Sequence, residues 1–374
     1  MNNLQSIENE ISSLKLKYAP DRRTAIFDIE ISGSENNYLI SGELSDTLCY
    51  NDLKDLKTKF QGLTVDVTLL PEKHLGNKIY GVVNLSVGNM RGKPEHPAEL
   101  VTQNLLGTPV KIFKKSKDNW LYIQTPDKYL GWIDNSAIAQ MNFEELQKWS
   151  KNEKIMVTAI FSFSRSEANQ ESLPVSDIVA GNILDLTGES GDYYSVKYPD
   201  GRKAFVLKSE ASKLSAWLEK TDATEESILA TAKLFVGVPY LWGGTSIKGF
   251  DCSGFTKTVY FLNGIQLERD ASQQVRHGKK IDISKGFSEL RAGDLLFFGF
   301  KASGSKPERV THVGIYTGNL EFIHSAGMVY IDSFDSTKPN FNGYRLNMLL
   351  SARRVLGFDP DNQGIKLLKG IFEK

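Results

Sequence analysis

A repeat in the middle of the chain is the tightest constraint on its fold. The segment LLGTPVKIFKKSKDNWLYIQTPDKYLGWIDNSAI, from Leu105, matches VAGNILDLTGESGDYYSVKYPDGRKAFVLKSEA, from Val179. Gly107 aligns with Gly181 and Trp120 with Tyr194, each pair 74 residues apart. Pro126, Asp127, Trp132 and Ser136 align with Pro199, Asp200, Phe205 and Ser209 at a separation of 73, so one residue slips in a strand or turn between. Polar turns, Asp118-Asn119 in one copy and Ser190-Gly191-Asp192 in the other, divide each copy into short strands. Short strands at close spacing bury their apolar faces by closing on one another, so a small antiparallel β-barrel used twice is expected. Trp120 and Trp132 read as barrel core. The second copy has Ala204-Phe205 where the first has Gly131-Trp132, and carries a longer early loop over 164–173. A helical stretch over 142–149 joins the copies.

Different textures flank the repeat. Leu4, Ile7, Ile11, Leu14 and Leu16 recur at near-helical spacing over 3–17, and Tyr18-Ala-Pro-Asp21 breaks that helix. Residues 25–31 alternate like a half-buried strand, 32–37 turn and 38–44 return. A helix over 50–60 and a strand over 63–70 complete a small α+β unit. From 224 the texture changes again. A helix over 225–235, a Gly-rich loop and a second helix ending at Asn263-Gly264 precede strands near 293–298, 310–316 and 321–324, a pattern that indicates an α+β domain. The expected boundaries are 1–78, 79–141, 142–215 and 222–357, within the roughly two to four domains that this length suggests.

Forty-five basic and 45 acidic side chains cancel. That balance argues against nucleic acid as the main partner, since phosphate binding needs a net basic face. No apolar run marks a signal peptide or a membrane span. The chain as it stands reads as cytoplasmic, and as periplasmic or part of the cell envelope if an export signal was trimmed. Two cysteines, Cys49 and Cys252, support neither a disulfide framework nor a cysteine zinc site. Histidine chemistry must draw on His74, His96, His277, His312 and His324. Cys49 reads as a buried thiol, and His74, His96 and His277 as surface side chains.

Cys252 falls where a loop becomes a helix. Unpaired N–H groups and the positive dipole end favour a thiolate there and can receive an oxyanion. Ser253 and Gly254 leave room for a carbonyl. His312 and His324 are 12 apart around Tyr316-Thr-Gly-Asn-Leu320. In a symmetric hairpin centred on Gly318 they would face each other with Cβ atoms about 4.5–5.5 Å apart. A thiol, a base and an orienting group make the cysteine–histidine relay of papain-like enzymes. Zinc is the competing use of one cysteine and two histidines, but no fourth ligand stands at metal-like spacing.

Residues 224–356 resemble the NlpC/p60 peptidases, a circularly permuted papain-like group. The motifs that carry the likeness are Pro239-Tyr-Leu-Trp-Gly-Gly244, Phe250-Asp-Cys-Ser-Gly-Phe255, Arg269-Asp-Ala-Ser-Gln-Gln274, Gly293-Asp-Leu-Leu-Phe-Phe298, Thr311-His-Val-Gly-Ile-Tyr316 and Phe322-Ile-His-Ser325, in that order. The repeats resemble bacterial SH3 (SH3b) domains through Trp120 and Tyr129-Leu-Gly-Trp132-Ile. Together they look like the γ-D-glutamyl-L-diamino-acid endopeptidases that trim murein peptides. The resemblance implies a multidomain α+β chain: an N-terminal α+β unit of unknown role, two SH3-like barrels and a papain-like domain. It implies Cys252 as nucleophile, His312 as base and His324 as the orienting third residue, with Tyr240 near the oxyanion. Trp242, Asp251, Ser253 and Ser272 would contact the substrate, Ser272 through the D-glutamate carboxylate. Glu99 and Tyr129 would hold a free L-Ala amine, a contact that rejects blocked peptides because Glu99 would be left unpaired. No cofactor or metal is implied. Two other readings use the same residues: a wall hydrolase anchored on intact polymer by its SH3b domains, and a non-enzymatic binding scaffold.

Overall fold

The computed structural model describes residues 3–34, 37–357 and 364–369. The chain forms two compact units, one drawn from residues 1–82, 93–97 and 109–147, the other from 83–92, 98–108 and 148–374. The four expected segments are thus distributed over two units. Among the described residues no helix is long and apolar enough to cross a membrane.

In the first unit, helix α1 (Asn3–Tyr18) buries Ile7, Ile11 and Leu14 along one stripe. Leu16, expected on the same face, sits about 200° around the helix from Leu14 and is 74% exposed. Strands β1 (Phe27–Ser34) and β2 (Asn37–Leu44) form an antiparallel hairpin with Ile31 opposite Ile40. Glu35 and Asn36 of the expected turn lie outside the described residues. Helix α2 (Thr47–Lys59) starts where the Asp46 carboxylate accepts the Cys49 N–H at 2.8 Å. It leads to β3 (Leu63–Leu69), which runs parallel to β2 with Val65 beside Ile40. Parallel neighbours need a crossover, and α2 supplies it. Cys49 is buried in this core, and burial pushes its thiol up to about 11. His74 is exposed and faces the Glu72 carboxylate at 3.5 Å.

The repeat is visible as strand order. Five strands of the first unit run in the order Ile138–Met141, Tyr80–Val83, Pro109–Lys115, Trp120–Gln124, Leu130–Asp134. In the second unit the order Ala211–Lys213, Lys154–Val157, Ile183–Ser190, Tyr193–Lys197, Lys203–Leu207 repeats it, then continues to Phe161–Arg165 and Pro174–Val179. The second unit also holds the hairpin Val87–Arg91 with Leu100–Leu105, which matches Phe161–Arg165 with Pro174–Val179 pair for pair. The expected 142–149 helix forms as Phe143–Lys151.

Register refines the alignment in two places. Lys115 pairs with Leu121 around residues 116–120, whereas Glu189 pairs with Tyr194 around the shorter 190–193. The slip is therefore in this turn, and the counterpart of Trp120 is Tyr193 rather than Tyr194. The longer early loop expected in the second copy is absent. Residues 92–99 and 166–173 span the two hairpins equally, because Ser164 and Arg165 are already paired in a strand. Glu99 thus has Leu173 as its counterpart. Trp120 is buried, whereas Trp132 is half-buried against Tyr122 at 5.0 Å and is not core.

The C-terminal part of the second unit begins with α3 (Glu225–Lys233), opened by a capping box between Thr224 and Ser227. Helices α4 (Cys252–Phe261) and α5 (Ala271–Gln274) follow, then β4 (Leu295–Phe300), β5 (Arg309–Gly318), β6 (Glu321–Ala326), β7 (Met328–Ser333), α6 (Gly343–Met348) and β8 (Leu349–Arg354). The sheet order is Lys279–Ile281, β8, β4, β5, β6, β7. Strand alternation splits the apolar residues between two faces. Leu295, Phe297, Val313, Ile315 and Ile323 pack with Phe255 and Val259 of α4, while Leu296, Phe298, Tyr316 and Phe322 pack with Phe334. Burial on both faces fixes where α4, and so Cys252, can sit.

The start of α4 is pressed against the loop before it. A Cβ on Gly254 would lie 2.0 Å from the Gly244 carbonyl oxygen, which also accepts the Asp251 N–H at 3.1 Å. In an open helix Gly→Ala stabilises by up to about 1 kcal/mol. Here Gly254→Ala is expected to destabilise by about 1–3 kcal/mol through overpacking. Denaturant unfolding checks the sign, and an unchanged or higher midpoint would show that this contact does not set the helix position.

Candidate active site

Asp251 and Arg269 build the turn that presents Cys252. One oxygen of Asp251, the α4 N-cap, accepts the Gly254 N–H at 2.7 Å, and the other accepts the Gly243 N–H at 3.0 Å. The Arg269 guanidinium meets the two oxygens at 3.1 and 2.5 Å, and also donates to Ser253 Oγ at 3.1 Å and Thr102 Oγ1 at 2.8 Å. It is only 1% exposed, so the charge is tolerated because its donors are matched by oxygens. Asp251 and Ser253, expected at the substrate, have their side-chain oxygens engaged within this cluster. Arg269 itself opened one of the motifs but carried no expected role. Nearby, Gln103 Oε1 accepts from the Thr245 N–H at 3.0 Å and from Ser246 Oγ at 2.9 Å.

The two histidines meet, but not as directly opposed residues. Ile315 faces Ile323, and a bulge between Tyr316 and Gly318 moves the turn to Asn319 and Leu320, both with positive φ. His324 therefore lies beside Gly314, whose missing Cβ would sit 3.1 Å from the His324 Cβ. His312 is two residues further along the same face, a diagonal neighbour. Its Nε2 is 2.7 Å from His324 Nδ1, with the rings at 86°. The diagonal step recurs once more. His324 faces Tyr330 across β6 and β7, and Asp332, two residues on, lies 3.0 Å from His324 Nε2 through Oδ2. Asn342 Nδ2 donates to the same oxygen at 2.5 Å.

This chain fixes the protons. The Asp332 carboxylate only accepts, so His324 donates from Nε2 and its Nδ1 must accept. His312 then donates from Nε2, which leaves its Nδ1 lone pair as the available base. Burial, the neighbouring imidazole and the Arg345 charge hold His312 well below its ordinary value. Burial also lowers His324, against the opposing pull of Asp332. Asp332 was missed in the sequence. Its signal was the alternating Val329-Tyr-Ile-Asp332 immediately after Gly327, one further hairpin.

Cys252 opens α4 and is 8% exposed. The backbone N–H groups of Val313, the residue after His312, and of Ser253 favour the charged form of its sulfur. Burial, with Asp251 adjacent, nevertheless pushes the thiol up to about 11. Desolvation here opposes the thiolate that the helix start was expected to favour. Tyr240 is half-buried, and burial together with the nearby Cys252 and Asp251 raises its phenol, so it is a donor at neutral pH.

The remaining expected residues are placed as follows. Trp242 is 62% exposed, and its Nε1 donates to Glu99 Oε1 at 2.8 Å. Ser272 is half-buried in α5. Tyr129 is buried in the first unit, where its carbonyl accepts the Thr125 N–H at 3.0 Å. His96 is exposed, with its ring 5.1 Å from Trp120. His277 is not exposed as expected: its side chain is 17% accessible and its Nε2 is 2.8 Å from Glu268 Oε2.

The chain is similar to several known proteins. A family model described as the NlpC/P60 family matches residues 237–344, and one described as a bacterial dipeptidyl-peptidase Sh3 domain matches 90–138. The γ-D-glutamyl-L-lysine dipeptidyl-peptidase of Bacillus cereus is 34% identical over 240 residues, covering 61% of this chain and 67% of that protein. The protein of the same name from Bacillus subtilis is 28% identical over 60% of this chain and 74% of its own. A crystal structure of an NlpC/P60 family protein from Bacillus cereus superposes with a TM-score of 0.62 at 25% identity, covering 74% of this chain and 99% of that one. A buried thiol at a helix start, a polarised histidine chain on the adjoining sheet and these matches lead to one conclusion: the chain belongs to the NlpC/P60 family of peptidases.

Proposed function

We propose that this cysteine peptidase hydrolyses the bond between γ-linked D-glutamate and a diamino acid, L-Lys or diaminopimelate, in murein peptides with a free N-terminal L-Ala. The observation that carries the reading is the polarised chain Asp332–His324–His312 across β7, β6 and β5, with the backbone N–H of Val313, next to His312, favouring the charged form of the Cys252 sulfur. The names of the Bacillus relatives, γ-D-glutamyl-L-lysine dipeptidyl-peptidases, support the substrate.

In this mechanism His312 Nδ1 takes the Cys252 proton as the sulfur attacks the amide carbon. The oxyanion is met by first-turn N–H groups of α4 and by the Tyr240 hydroxyl. Collapse breaks the C–N bond, and His312 returns the proton to the departing amine. Water then attacks the thioester, with His312 accepting its proton and passing it to the leaving sulfur. Ser272 binds the D-glutamate carboxylate and Trp242 walls the pocket. Glu99 receives the L-Ala ammonium. Glu99 is exposed, and among the described residues only its Oε1 is engaged, by Trp242. The second barrel, with Leu173 in place of Glu99 and 77% exposed, serves as a spacer.

Cys252→Ala is expected to abolish cleavage of L-Ala-γ-D-Glu-L-Lys, followed by chromatography of the released L-Lys. N-acetylation of the peptide, or Glu99→Gln, should lower kcat/KM by about 10–100-fold. Residual turnover by the alanine variant would sink the nucleophile assignment, and equal cutting of free and acetylated peptide would sink the amine contact.

Asp332→Asn can keep its amide oxygen toward Asn342 Nδ2 and His324 Nε2, so Asp332→Leu, which removes the acceptor, is the informative change. Without that acceptor His324 carries its proton on either nitrogen, and His312 no longer presents Nδ1 as a fixed lone pair. The base is lost in part of the molecules or all of them, so kcat should fall by about 10²–10⁴-fold at constant KM. A kcat within a few-fold of the parent would show that the carboxylate does not orient the relay.

Lowered histidines also link stability to pH. Below about 6.5 the unfolded chain takes up protons that the folded His312 and His324 refuse. Stability should therefore fall as pH drops from about 6.5 toward the lowered values, by at most about 1.4 kcal/mol per pH unit for each group. Unfolding midpoints at pH 7.5 and 5 test this, and His312→Gln should flatten the slope. A midpoint that rose on acidification would contradict it.

A further inference from the structure

Four arginines in the C-terminal part are at least half-buried, and they are not alike; Arg353, on β8, has no ion pair among the described residues and its buried Nε has no hydrogen-bond partner. Arg269 grips Asp251, and Arg354 grips Asp294 at 2.8 and 2.7 Å. Arg345, on α6, has no ion pair among the described residues. Its backbone N–H donates to Asn342 Oδ1 at 2.9 Å, and its guanidinium stands over the rings of Phe298 at 5.9 Å and Tyr344 at 5.7 Å. A guanidinium taken partly out of water without an anion is unfavourable unless something binds it.

Its position says what that is. Asn342 caps α6 and also holds Asp332, so the helix that carries Arg345 is fastened to the histidine chain. Phe298 lies 5.7 Å from the His312 ring, so the guanidinium stands one aromatic ring away from His312. The Arg345 charge is felt at His312, His324, Tyr240 and Asp332. A permanent cation here makes His312 harder to protonate, a disadvantage for a residue that must accept a proton. An arriving anion would relieve that.

We infer that Arg345 is a specificity residue that binds a carboxylate of the substrate beside the scissile amide, namely the α-carboxylate of a C-terminal diamino acid. The inference rests on the peptide reading above. Two carboxylates flank the bond: that of the γ-linked D-glutamate, and that of the diamino acid when it ends the peptide. The second is attached to the very carbon that bears the departing nitrogen, and that nitrogen takes its proton from His312. Arg345 stands on the His312 side, and its planar fork matches a carboxylate through two parallel hydrogen bonds. Peptides that end at the diamino acid should therefore be preferred over those that continue past it.

The test uses the full chain and three peptides: L-Ala-γ-D-Glu-L-Lys, its C-terminal carboxamide, and the analogue with the D-glutamate α-carboxylate as carboxamide. The parent should favour the free acid over the C-terminal carboxamide by about 10–100-fold in kcat/KM, mostly through KM. In Arg345→Gln that ratio should fall to about one, while the ratio for the D-glutamate carboxamide stays as in the parent; Arg345→Lys should keep part of the preference. Equal slowing of all three peptides by Arg345→Gln would overturn the assignment and leave a structural role. Collapse of the D-glutamate ratio instead would overturn it in favour of the other carboxylate. If the parent cuts none of the three, the peptide reading fails and the inference falls with it.

Discussion

One hydrogen bond, 2.7 Å between His312 and His324, gives the site its direction. Each ring has two nitrogens, and nothing in the pair alone decides which carries a proton. Asp332 decides, because a carboxylate cannot donate to His324. The choice passes through both rings and emerges at His312 Nδ1 as a lone pair. The sheet makes this possible by geometry rather than by close opposition. Three side chains step diagonally across three antiparallel strands, and the first step needs Gly314, where a side chain would crowd His324.

Around this line the site is electrically quiet. Burial pushes the thiol up and the imidazoles down, which in both cases favours the uncharged form. The nearby permanent charges are tied down: Asp251 to Arg269, Asp332 to Asn342 and His324. Arg345 is the exception: its guanidinium stands over the Phe298 ring with no ion pair among the described residues.

The sequence made the architecture legible where spacing carries the information. The 73- and 74-residue offsets exposed the repeated strands, and the helix start at Cys252 followed from loop and apolar pattern. It misled where a single residue alters register. The bulge before Gly318 turned an opposed histidine pair into a diagonal one, and the shorter turn at 190–193 moved the partner of Trp120 to Tyr193. Contacts between remote segments were invisible. Nothing in the neighbourhood of Glu99 announces that it accepts a hydrogen bond from Trp242, 143 positions away, and nothing near Arg269 announces Thr102. The Leu16 and His277 readings failed for the simpler reason that exposure depends on what packs from elsewhere.

The hairpin over 87–105 has a practical meaning. Although it arises in the first repeat, its residues Glu99, Thr102 and Gln103 brace Trp242, Arg269 and the turn at Thr245. The peptidase machinery is consequently assembled from two stretches that the chain order keeps far apart. A fragment excised at about residue 222, where the texture changes, would resemble a self-sufficient enzyme on paper yet arrive without its own scaffolding; protein engineers who wish to graft or miniaturise this hydrolase must carry the hairpin along.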